Sequence, residues 1–96
     1  MAKEQILRLV EDAEIPSKVV AASNIEWGVL VDAYLLSAAR VGNRYAAEVY
    51  LDRSGRTSNG MTVITPEVTQ VASKNGFVMV RSICQKDHYV IVTGQS

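Results

Sequence analysis

The sequence predicts an α+β domain in which N-terminal helices pack on a four-stranded, mainly antiparallel sheet, in the order α-α-β-β-α-β-β. Three observations carry this expectation. Residues 3–13 place Ile6, Leu9, Val10 and Ala13 at helical spacing, and a broadly apolar run from Glu26 to about Val41 reads as a longer helix. From Tyr45 the apolar period changes from helical to two, as in a half-buried strand. Near the C-terminus a second apolar hairpin follows an Asn-Gly step. The 96 residues suit one domain, with residues 1–43 as its helical part and 44–96 as hairpin, short helix and hairpin.

Each element has a local reason. Ile15-Pro16 ends the first helix, because proline disfavours the α conformation in the residue before it. "SKVVAAS" then forms a short helix from Ser17 or an extended link, the helix being preferred. Ser23 and Glu26 have the spacing of a capping box, and Gly42 stands where a helix would close. The helix between them would be apolar almost all round. One sheet face could not cover it, so Trp27, Leu30, Tyr34 and Leu35 become the candidate interface with a partner chain.

Tyr45, Ala47, Val49 and Leu51 share one face of the first strand. "DRSGRTSNG" is a polar loop and "MTVIT" the returning strand. Thr65-Pro66-Glu67 has the form of a helix start, predicting a short helix through Lys74 with Gly76 as its stop. Phe77 to Gln85 and Tyr89 to Thr93 make the last hairpin, the first of these strands being apolar on both faces.

Composition narrows the function classes. Apolar residues make up 48% and charged residues 21%, which argues against disorder. Ten basic and ten acidic residues cancel, so no net field draws the chain to nucleic acid or membrane. Residues 1–36 hold three basic side chains against six acidic, and residues 37–96 hold seven against four. The apolar window from Trp27 to Val41 contains Asp32 and Arg40 and is too short to span a bilayer, and a cytoplasmic location without a membrane partner is expected. A single cysteine, Cys84, forms no internal disulfide and is expected to be a small buried apolar residue.

No metal-ligand spacing, phosphate-binding glycine run or nucleophile–base motif is present, so no cofactor is expected. The basic residues Arg53, Arg56, Arg81 and Lys86 are candidate contacts for an anion or an acidic partner. Residues 3–41 also have the rhythm of a helix-turn-helix, although their acidic balance opposes DNA binding.

The stretch "SKNGFVMVRSICQKDHYVIV" resembles the start of HicA-type messenger-RNA interferases, through Asn75, Gly76, Phe77, Val80 and Arg81. The resemblance implies a fold similar to double-stranded-RNA-binding domains and an RNA-cleaving role for His88. The family's Gly-Ser-His step is absent, and extra residues separate Arg81 from His88.

Surplus apolar surface in so short a chain leads to the expectation of a non-enzymatic accessory protein of the kind carried by mobile elements, acting by protein–protein association as a homodimer or with another protein. The alternative expectation is nucleic-acid binding or RNA processing.

Overall fold

Residues 33–41, Ala-Tyr-Leu-Leu-Ser-Ala-Ala-Arg-Val, form a strand and not the helix that their apolar density suggests. The computed structural model describes residues 15–84 and 86–94. Helix α1 (Ser17–Ser23) is followed by strands β1 (Ala33–Val41), β2 (Arg44–Tyr50), β3 (Met61–Ile64), β4 (Val68–Lys74), β5 (Phe77–Ser82) and β6 (His88–Ile91). They make one six-stranded mixed sheet in the order β3-β2-β1-β6-β5-β4. This corrects the expected four-stranded, mainly antiparallel sheet under N-terminal helices. The expected helix over residues 3–13 lies outside the described residues.

Two predicted helices are strands, for identifiable reasons. Gly28 adopts φ +82 in the first turn of the expected 26–41 helix, a conformation an α-helix does not accept. Ser23 does not start a helix there but ends α1, its hydroxyl donating to the Val20 carbonyl at 2.7 Å. β1 is apolar on both sides because both faces of the sheet are covered. The second correction concerns residues 66–74, where β4 replaces a helix. Asn75 and Gly76 sit at φ 52 and φ 84, the two positive angles of a type I′ hairpin turn, and Lys74 pairs directly with Phe77.

β1 and β6 run parallel at the centre of the sheet, with Ala33 opposite Tyr89 and Leu35 opposite Ile91. All other neighbouring pairs are antiparallel. β3 and β4 form opposite edges, yet only Thr65, Pro66 and Glu67 separate them. Across a flat sheet of this width the edges would lie about 24 Å apart. Four Cα–Cα steps reach at most about 14 Å. The sheet must therefore curl until its edges approach.

Hydrogen bonds hold the connection in place: those of Thr65 and Glu67 extend the β2-β3 and β4-β5 ladders, and that of Val68 crosses to the β1-β2 turn. Thr65 N–H donates to the Tyr45 carbonyl at 2.8 Å, and Thr65 Oγ1 accepts from Tyr45 N–H at 3.0 Å. Val68 N–H donates to the Asn43 carbonyl, and Ile83 N–H to that of Glu67.

The concave face gathers Leu35, Ala38, Tyr45, Ala47, Val49, Val68, Val80 and Ile91. The convex face carries Tyr34, Tyr50, Met79, Val90 and Val92, covered by Trp27 and by Val19 and Ala22 of α1. Lys74 lies over the Trp27 ring, 5.7 Å from its centroid. Among the described residues no helix is long and apolar enough to cross a membrane.

Candidate binding cleft

The concave face opens at one end into a cleft of about 520 Å³. Leu35 of β1, Val49 of β2, Val63 and Ile64 of β3, and Pro66 supply its apolar wall. The strand alternation explains this wall, since Leu35, Val49 and Val63 share the inner face of three adjacent strands. At the other side Asp32, Asp52, Asp87 and Tyr89 line a polar end, with Arg53 and Arg56 at its rim.

Asp32 ties three segments together. Its N–H donates to the His88 carbonyl at 2.8 Å, and its Oδ2 accepts from His88 N–H at 2.8 Å. Its carbonyl accepts from Arg53 N–H, and its Oδ1 lies 3.2 Å from Arg53 Nη2. With the arginine side chain 57% exposed, this ion pair is weakened by solvent and contributes chiefly position.

Asp52 organises the loop after β2. Its Oδ1 accepts from the N–H and hydroxyl of Ser54, and its Oδ2 from the N–H and hydroxyl of Thr57. Partial burial would raise the Asp52 carboxyl, but these bonds outweigh it and hold the group below its ordinary range. The preceding Leu51 turns the chain at φ 56, and its N–H donates to Asn59 Oδ1 at 2.8 Å.

Asp87 is placed by the buried Ser82, whose hydroxyl accepts from Asp87 N–H at 2.9 Å. Tyr89 stands where these carboxylates converge. Burial, then the negative charges of Asp87 and Asp32, hydrogen bonding to Asp87, and the charge of Asp52 together push its phenol up to about 12.

The residues singled out in the sequence fall in different places. Trp27, Tyr34 and Leu35 are buried within the chain, leaving Leu30, 68% exposed, as the one candidate interface residue with an open side chain. Arg53 and Arg56 both belong to the cleft. Arg81 is exposed on β5 directly opposite His88 on β6, and Lys86 is exposed before β6 at φ 66. Cys84 is exposed in the turn after β5, not buried as expected. The segment before Asn75-Gly76, a helix in the interferase pattern, is a strand. Of the helix-turn-helix, only the short second helix lies within the described residues as a helix.

Sequence reading missed Asp32, Asp52, Asp87 and Tyr89 as a group. The loop motif Asp-Arg-Ser-Gly-Arg-Thr held a usable signal, since an aspartate followed by serine and threonine often folds a loop around its carboxylate. No group of three or more potential metal ligands occurs among the described residues. Comparison with protein-family models, with curated proteins and with solved structures gave no match.

Proposed function

We propose that this chain is a non-catalytic association protein of the cytoplasm that works as a homodimer joined through the open edge of β3. The observation that carries the proposal is the character of that edge. β3 has no strand partner beyond β2 among the described residues, and its sequence Met-Thr-Val-Ile contains no charge. Met61 is 47% exposed and Ile64 is 70% exposed.

The opposite edge differs. β4 carries a bulge between Gln70 and Ala72 and ends in Lys74, two devices that discourage edge-to-edge pairing. An uncharged apolar edge with neither device favours strand addition. An identical strand approaching antiparallel about a two-fold axis satisfies both copies equally, so a second copy is the natural occupant. The four-residue length limits the contact, and association should therefore depend on concentration.

The nucleic-acid reading has less support. Arg40, Arg44 and Lys74 each donate to backbone carbonyls, and Arg53 pairs with Asp32. These side chains are thereby engaged within the fold and not held free for phosphates.

Light scattering across a concentration series tests the dimer. The mass should rise from 10.5 kDa toward about twice that value. Thr62→Lys places a charge on the exposed edge opposite Glu48 of β2 and should leave a folded monomer. A wild-type chain that stays monomeric throughout, or a Thr62→Lys variant that still dimerises, overturns the proposal.

A further inference from the structure

We propose that the Asn75-Gly76 turn is a site of spontaneous covalent modification, where Asn75 converts to aspartate and isoaspartate, while the fold protects the identical step Asn59-Gly60. This inference is independent of the β3 pairing. It begins with a dipeptide that occurs twice in the sequence and is held in two different ways.

The chemistry needs atoms of adjacent residues to meet. The glycine backbone nitrogen attacks the asparagine Cγ and a new C–N bond forms. The bond from Cγ to the side-chain nitrogen breaks. The glycine amide proton passes to water, and the departing nitrogen takes one up and leaves as ammonia. Water then opens the cyclic imide. Opening at the side-chain carbonyl gives aspartate, and opening at the main-chain carbonyl gives isoaspartate, whose main chain runs through the former side chain. Water is the only co-reactant. Glycine leaves the attacking nitrogen unhindered, because it has no Cβ.

At Asn59-Gly60 both reacting groups are engaged. Asn59 Oδ1 accepts from Leu51 N–H at 2.8 Å, which fixes the side chain, and Gly60 N–H donates to the Val49 carbonyl at 2.8 Å, which turns the nucleophile away. Attack there must break both bonds and unseat the loop after β2. At the β4-β5 tip, neither the Asn75 side chain nor Gly76 N–H has a hydrogen-bond partner among the described residues. Both residues are exposed. The space beside Gly76 is open, with nothing within 4 Å of where a Cβ would stand, whereas the Tyr50 hydroxyl lies 3.7 Å from that point at Gly60. Rotation of the Asn75 backbone toward attack is resisted chiefly by the last rung of the hairpin, Lys74 against Phe77. Such exposed tips open at low cost.

The product reaches beyond the turn. Conversion places a carboxylate beside Lys74, and isoaspartate adds a main-chain carbon to a tight two-residue loop. Lys74 lies over Trp27 and donates to the Glu26 carbonyl, so a loosened tip also disturbs the cover of the convex core.

Peptide mapping by mass spectrometry tests the site, on the full chain incubated in mildly alkaline buffer with and without urea. In the folded chain Asn75 should convert roughly tenfold faster than Asn59, the effect of two hydrogen bonds that must open. In urea the two rates should converge, because the protection of Asn59 belongs to the fold. Asn75→Gly keeps a residue that accepts the positive φ of the turn, and that chain should accumulate almost no isoaspartate when folded. If this variant does not fold, the wild-type comparison with and without urea decides alone. Equal rates in the folded chain, a faster Asn59, or an unchanged Asn75 while the urea-unfolded chain reacts would overturn the proposal. A folded Asn75→Gly chain that gains isoaspartate as fast as the wild type would also overturn it.

Discussion

At the scale of single residues, Tyr89 registers the electrostatics of its surroundings. Its phenol holds its proton more tightly in the folded chain, up to about 12, than at its ordinary 10.0. Folding stability from this group is therefore complete below pH 10 and is lost as the pH rises toward about 12. Between those values the unfolded tyrosine ionises while the folded one resists. Tyr34, raised by burial, acts in the same direction. Urea-denaturation midpoints should fall over this interval, and Tyr89→Phe should make the decline shallower. A tyrosinate absorbance titration of the folded chain should show a late-ionising phenol that the variant lacks.

Among elements, the strands with clean alternation were legible in the sequence and the bulged ones were not. β2, with Tyr45, Ala47 and Val49 on one face, obeys a period of two throughout, as do Phe77 to Val80 of β5. β1 and β4 each contain a bulge, which adds a residue and moves apolar side chains to the other face. In β1, Ser37 at φ 55 interrupts the register, and Ala38 returns to the concave side beside Leu35. In β4 the bulge leaves Val68 on one face and Ala72, four residues later, on the other. The bulge thus breaks the period of two that would have marked the segment as a strand. Thr93 holds the β1 bulge, accepting from Ser37 N–H through its side chain and from Ala38 N–H through its carbonyl.

The same contact brings Gly94 against Ala38 at φ +131. A methyl group on Gly94 would overlap the Ala38 backbone. Gly94→Ala should therefore destabilise the chain by about 1–3 kcal/mol, measured as a lower urea midpoint.

For the whole molecule, the decisive feature is the three-residue connection between the outermost strands. Thr65 is 3% exposed and occupies the seam, accepting from Tyr45 N–H and donating to the Pro66 carbonyl. Thr65→Val keeps the shape but leaves Tyr45 N–H without that acceptor. It should cost about 1–3 kcal/mol. Hydrogen exchange at Tyr45 and Val68 should quicken more than exchange at Val90 in the sheet centre. Uniform quickening would mean that the seam does not open separately.

The candidate site depended on this global geometry and was largely hidden from the sequence. Asp32 and His88 meet only because β1 and β6 are neighbours, 56 residues apart in the chain. No local pattern announces a long-range parallel pairing. Arg53 and Arg56 stood out because both occupy one short polar loop.

The placement of β1 beside β6 also sets an order of events during synthesis. The sheet's centre joins the earliest described strand to the latest, so the β1-β2-β3 meander emerges from the ribosome with one flank of β1 uncovered. That flank waits for the final hairpin, and nearby chains could pair with it meanwhile. Folding should therefore be governed by this late long-range closure, with a C-terminal truncation before His88 leaving an aggregation-prone chain.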